Sequence, residues 1–206
     1  MPAAASREKP GRRDTRGRLV EAAAALFSRR GYAATGVKAV LTAADAPYGS
    51  LYHFFPGGKQ ELGVAVLERG GDLYRDLVES FYPPGVDVRE ATAASFAGAA
   101  DLLIATDFAD ACPIATIALE VASSDEPMRR AAAAAFESWL DVLEERFTTA
   151  GMDPDRARDV AVELFCLIEG AFLLCRTTRS VAPMHVAARA ATTAVSSGLD
   201  DRAAPR

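Results

Sequence analysis

The residues with most to offer chemically stand together in Tyr48-Gly49-Ser50-Leu51-Tyr52-His53. Two phenols, a hydroxyl and an imidazole this close cannot all be buried, because each polar tip needs a partner. The stretch Tyr48 to Phe54 reads as a short helix. Leu51 and Phe55, one turn apart, face inward against Phe27 and Val40. Tyr48, Gly49, Ser50, Tyr52 and His53 are left outside, and Gly49 leaves room for a close approach. Donors and acceptors on an exposed helix suit the base edges of a DNA major groove.

That helix needs a frame. Thr35 to Phe55, TGVKAVLTAADAPYGSLYHFF, reads as two short helices joined by a turn at Asp45-Ala46-Pro47. This is a helix-turn-helix pattern. Thr35 is the expected N-cap of a helix over Gly36 to Ala44, with the Gly36 amide turned outward to hold a phosphate. A preceding helix, Thr15 to Arg30, carries Leu19, Ala22, Ala23, Leu26 and Phe27 on one stripe and ends at Gly31 as a left-handed C-cap. Pro56-Gly57-Gly58 closes the unit, and Lys59 opens the next helix.

Charge agrees with a phosphate-facing head. Residues 1–60 hold ten Lys or Arg and four acids, a balance of +6; the chain total is -5, so the other 146 residues carry -11. Residues 1–14 read as a disordered basic arm, with Arg12 and Arg13 beside the helix start and Arg16 just inside it. The three cysteines, Cys112, Cys166 and Cys175, are odd in number and widely spaced, as expected of buried thiols in a reducing cytoplasm. No apolar run suggests a membrane span, and Arg7 and Lys9 are followed by no apolar h-region.

Residues 59–198 read as an all-α body. Helices are expected over Lys59 to about Ser80, 87–106, 112–121, 125–149, 155–177 and 183–196, with a frayed tail over 199–206. Gly70-Gly71 marks a bend in the first of these. Phe81-Tyr82-Pro83-Pro84-Gly85 is the clearest break. The last two helices carry a long apolar face through Val160, Leu164, Ala171, Leu174, Val186 and Ala194, as a subunit interface requires. The division is therefore an arm at 1–14, a DNA-binding domain at 15–58, a ligand-binding and dimerisation domain at 59–198, and the tail.

The segment AAAALFSRRGYAATGVKAVLTAADAPYGSLYHFFPGGKQEL, within residues 16–67, resembles the tetracycline-repressor (TetR) family. The shared features are an Ala-rich helix ending in Phe, then Gly-Tyr, a Thr, a short helix and Gly-Ser-Leu-Tyr-His-Phe-Phe followed by Lys and Leu. Cys112-Pro113, Ile114 to Glu120, Met128 and Phe136 to Trp139 are similar to the subgroup that includes the LmrA and YxaF repressors. The resemblance implies a homodimer of nine or ten helices per subunit. It implies a palindromic double-stranded DNA operator, usually repressed, and release by a small molecule held in the body. It places Thr35, Tyr48, Ser50, Tyr52, His53 and Lys59 where the family contacts phosphates or bases. Tyr48 stands where Lys or Arg is common, and Gly36 where Ser or Thr is common.

Two other readings compete. An enzyme needs a nucleophile and base brought together, and with only His53 and His185 and no metal-ligand spacing, no pair is named and no cofactor is implied. A DNA-binding dimer controlled by a partner protein would have a filled body. A ligand-controlled one would hold a cavity, expected between the helices at 87–106, 112–121, 125–149 and 155–177. Phe96, Leu103, Phe108, Trp139, Phe165 and Phe172 would form its apolar wall, with Cys112, Thr116 and Glu169 as polar groups. Glu120 reads as a surface acid.

Overall fold

The computed structural model describes residues 15–109 and 112–200. The arm at 1–14, with Arg12 and Arg13, lies outside them. Among the described residues there are nine helices and no strands: α1 (Thr15–Arg30), α2 (Val37–Ala43), α3 (Ser50–Phe54), α4 (Lys59–Phe81), α5 (Val88–Ala105), α6 (Pro113–Val121), α7 (Glu126–Thr149), α8 (Pro154–Thr178) and α9 (Ala182–Asp200). The protein is all-α, an N-terminal helix-turn-helix head on a larger helical body. The last helix runs through Leu199 to Asp200, where fraying was expected.

Helix starts follow local chemistry. The Asp87, Asp125 and Asp153 carboxylates accept first-turn amides of α5, α7 and α8, and prolines occupy the first turns of α6, α7 and α8. Gly31 ends α1 at φ +84°. The α2–α3 turn places Asp45 at φ +47°, a conformation that a short polar side chain tolerates. Two local expectations are corrected. Gly36, not Thr35, is the N-cap of α2. Thr35 is buried, and its hydroxyl donates to the Gly31 carbonyl at 2.8 Å. The helical stretch α3 also begins at Ser50, so Tyr48 and Gly49 belong to the turn before it.

Two cores form. One gathers Leu19, Phe27, Val40, Leu51 and Phe55 of the head with Leu62 and Val66 of α4, Ile114 and Ile117 of α6, and Met128 and Trp139 of α7. The other joins Phe96, Leu103, Phe147, Val160, Leu164 and Met184 from α5 and α7–α9. Val78 and Phe165 pack against both. Each large side chain removed from water contributes about 2 kcal/mol, so neither the three head helices nor α6 need stand alone. Much of the apolar face expected at the subunit interface closes this second core instead: Val160, Leu164, Ala171 and Ala194 are buried. Val162, Leu173, Leu174 and Val186 remain exposed.

The helix α4 runs unbroken through Gly70-Gly71. These glycines admit neighbours: a Cβ on Gly71 would lie 2.8 Å from the Ala135 Cβ and 3.3 Å from its backbone, while one on Gly70 would meet only the tip of Ile114. The Trp139 indole N–H donates to the Gly71 carbonyl at 2.8 Å. Gly71→Ala should therefore lower the thermal midpoint, because α7 backbone must retreat. Gly70→Ala should not, because Ile114 can turn aside and alanine adds helix propensity of about 1 kcal/mol. Circular-dichroism melts of the two variants check this; equal behaviour would remove the close α4–α7 approach as the reason for Gly71.

Candidate nucleic-acid interface and ligand cavity

Tyr48 and Tyr52 stand out from the head at 73% and 56% exposure, although aromatic side chains of this size usually bury. Gly49 and His53 are exposed beside them, and Ser50 is half-buried. Nothing lies within 4 Å of where a Cβ would stand on Gly36 or Gly49. The His53 ring rests edge-on against Phe54 at 4.7 Å. The exposed Arg16 lays its guanidinium over the Phe55 ring at 5.2 Å, beside α3. Thr35 does not present its side chain to solvent, since its hydroxyl is spent inside the head.

Lys59 has a different setting. Its ammonium sits 4.2 Å from the centre of the Tyr32 ring and donates to the Ala33 carbonyl at 3.4 Å. Burial lowers its pKa, and the Glu120 carboxylate opposes that shift. Glu120 is an exposed acid, as read from the sequence, with a role that the sequence did not show: its two oxygens accept the Tyr32 amide at 2.9 Å and the Ala33 amide at 2.8 Å. One carboxylate on the last turn of α6 thus holds the α1–α2 turn. Gly31 makes room, because a Cβ there would run into Glu120.

The body contains a cavity of about 370 Å³, within the range of about 300–1,000 Å³ typical of small-molecule sites. Phe96, Cys112, Trp139, Phe165, Glu169 and Phe172 line it, as expected. Leu103, Phe108 and Thr116 do not. Leu103 is fully buried core; the Thr116 hydroxyl donates to the Cys112 carbonyl. Phe108 sits in a turn at φ +59°, its ring under the Arg179 guanidinium at 5.4 Å and its carbonyl held by Arg176.

A whole wall escaped the sequence reading. Tyr74, Leu77, Val78 and Phe81 of α4 and its C-cap Tyr82 line the cavity, so it lies between α4, α5, α7 and α8, and α6 contributes only its N-cap, Cys112. The signal was present in the spacing 74, 77, 78, 81, 82, one helical face. Leu73, one position before this face begins, is exposed.

The polar atoms in the wall are mostly committed. The Trp139 N–H is held by Gly71, the Tyr82 hydroxyl pairs with Thr92 at 3.0 Å, and the Ser95 hydroxyl donates to the Thr92 carbonyl. Burial pushes the Cys112 thiol up, and the neighbouring Glu169 carboxylate adds to the rise. Burial also raises the Glu169 pKa, and the nearby thiol opposes that shift. Among the described residues no cluster of His, Cys, Asp and Glu suits a metal ion, and no helix is long and apolar enough to cross a membrane.

An outward-facing helix-turn-helix, sharing a core with a helical body that holds an aromatic cavity, defines a one-chain transcriptional regulator. The chain belongs to the TetR family. Residues 19–66 match the model described as bacterial regulatory proteins, tetR family, and residues 89–190 match that of the LmrA/YxaF-like transcriptional regulator C-terminal domain. It is 34% identical over 179 residues to the HTH-type transcriptional regulator Rv0196 of Mycobacterium tuberculosis, covering 84% of this chain and 90% of that one. It is 29% identical to the HTH-type transcriptional regulator LmrA of Bacillus subtilis, over 83% of this chain and 91% of that one. Of solved structures, the regulatory protein TetR from Rhodobacter sphaeroides superposes with a TM-score of 0.77 at 22% identity, covering 88% of this chain and 98% of the other. The reduced form of NemR from E. coli gives 0.74 at 24% identity, over 86% and 95%. Family membership sets the enzyme reading aside.

Two variants test these sites. Glu120→Ala should leave the Tyr32 and Ala33 amides to water, which at about 1–2 kcal/mol speeds their hydrogen exchange roughly tenfold or more while the α1 amides keep their protection. Unchanged exchange at both amides would show that the carboxylate does not hold the turn. Glu169→Gln should raise the thermal midpoint above neutral pH, because the raised pKa means that folding disfavours the charged carboxylate. The gain should shrink as pH falls through the raised folded pKa and vanish below the unfolded value, 4.5. Melts across pH check the sign.

Proposed function

We propose that this chain is a ligand-responsive repressor: it binds a palindromic operator as a dimer and leaves it when an apolar small molecule fills the cavity. Residues 15–58 serve as the DNA-binding domain and 59–198 as the ligand-binding and dimerisation domain. The observation that carries this is the cavity's position at the seam of the two cores. Its walls include α4, whose first residue Lys59 touches the α1–α2 turn, and the start of α6, whose last turn holds that turn through Glu120. A ligand that prefers a different seating of α4 against α7 and α8 shifts the heads by its difference in affinity between the two seatings, and by no more.

Tyr48, Gly49, Ser50, Tyr52 and His53 would face bases, with Gly36, Arg16 and the arm residues Arg12 and Arg13 along phosphates. Lys59 joins them only if its ammonium leaves Tyr32. A dimer would cover the exposed Val162, Leu173 and Leu174 of α8 and Val186 of α9. A similar protein, 25% identical over 84% of this chain, is the HTH-type transcriptional repressor DhaR of Mycobacterium sp. strain GP1.

The test begins with duplexes selected from a random pool. The expected product is a palindrome bound by two protomers in sedimentation. Tyr48→Ala and Tyr52→Ala should each weaken that duplex about tenfold or more without lowering the thermal midpoint. Trp139, the single tryptophan, lines the cavity and reports occupancy by its fluorescence. Apolar compounds that change its emission should release the duplex. Compounds that fill the cavity yet leave the complex intact would overturn ligand control, and a monomer without sequence preference would overturn the rest.

A further inference from the structure

The cavity's charge balance narrows its ligand. Among the described residues seven aromatic side chains line it, no Lys, Arg or His does, and Glu169 is its only acid. No described Lys, Arg or His forms an ion pair with Glu169, and the Cys112 thiol is its polar neighbour. Three other polar groups of the wall are taken: the Trp139 N–H by the Gly71 carbonyl, the Ser95 hydroxyl by the Thr92 carbonyl and the Tyr82 hydroxyl by Thr92. What the wall chiefly offers a ligand is a set of ring faces and one carboxylate.

We infer that the effector is a monocation with an apolar or aromatic body, its positive head seated against Glu169 and between the faces of the neighbouring aromatics. This rests on the ligand-controlled reading above and deepens it. An anion would meet the Glu169 carboxylate and find no cation to offset it. A neutral apolar ligand would strip water from Glu169 and give nothing back, so filling the cavity would drive protonation of that carboxyl. A cation restores what burial removes. It pairs with the carboxylate in a low-dielectric site, where the attraction is stronger than in water. Because its N–H points away to Gly71, Trp139 can offer only its ring to the cavity, and that negative face attracts a cation by about 0.5–2 kcal/mol. Phe165, packed against Trp139 at 5.7 Å, and Phe172 extend the same kind of surface.

A matched pair of probes separates charge from shape. Benzyltrimethylammonium and neopentylbenzene differ by one nitrogen for one carbon and are nearly equal in volume. Titrated against the full-length protein and read by Trp139 fluorescence, the cation should bind about tenfold or more tighter than its neutral isostere. Glu169→Gln should abolish that preference, weakening the cation about tenfold and leaving the isostere unchanged or improved. Glu169→Asp, which keeps the charge, should retain a preference for the cation; melts of both variants verify folding. An isostere that binds wild type as well as the cation does, or a preference that survives in Glu169→Gln, would overturn the inference while leaving a ligand cavity in place. A cation that leaves Trp139 emission unchanged at millimolar concentration would overturn it as well. Whether the cavity controls DNA at all is decided separately, by duplex release across varied apolar compounds.

Discussion

The contact between Gly71 and Trp139 governs the rest of the molecule. A bulky donor from a neighbouring helix reaches a helix carbonyl most easily where the residue there is small, and glycine at 71 meets the condition. The indole N–H then reaches the α4 backbone, with Ala135 against the missing side chain. Three consequences share this one geometry. The helices α4 and α7 come close enough to act as a single support, Trp139 joins the core of the head, and its ring becomes a wall of the cavity. Packing is dense in such interiors, so a displacement at one of these surfaces cannot be absorbed locally.

A second constraint connects that support to the head. The turn between α1 and α2 has two amides that no helix satisfies, and α6 supplies the acceptor through Glu120. The start of the same short helix is capped by Cys112, which lines the cavity together with Glu169. The two ends of the nine-residue helix α6 thus lie at the two sites of interest. With α4, which runs from Lys59 beside Tyr32 to Phe81 and Tyr82 in the cavity wall, it gives two continuous connections between ligand and head. The head never had a core of its own to isolate it, since Ile114, Ile117 and Met128 complete the packing around Phe27 and Leu51.

The balance of polarity separates the two surfaces chemically. On the head, Tyr48, Tyr52 and His53 present aromatic rings with polar tips to solvent, a cost that a free protein bears only on a surface with something to meet. In the cavity the opposite holds: rings face empty space and nearly every polar atom has a partner within the wall. Glu169 is the exception, and burial raises its pKa.

The sequence by itself determined the all-helical class, the family and the exposed face of the head. These rest on local rules. Helix periodicity, Asp and Pro at helix starts, Gly31 after α1 and the Tyr48–His53 pattern need only near neighbours to be read. It also named six cavity residues, because aromatics in excess of what alanine-rich helices require must border space. The tertiary structure alone decided the wall from α4, the role of Glu120, and the fate of Thr35, Leu103, Phe108 and Thr116. Each depends on a partner far along the chain or on a backbone path. Glu120 meets Tyr32 across 88 residues, Phe108 is turned by a left-handed φ and gripped by Arg176 and Arg179, and Thr35 finds the Gly31 carbonyl before it can cap α2. Periodicity states which side of a helix is apolar. It does not state whether that side meets another helix or a void, because that is set by how closely glycines at 70 and 71 let the neighbours come.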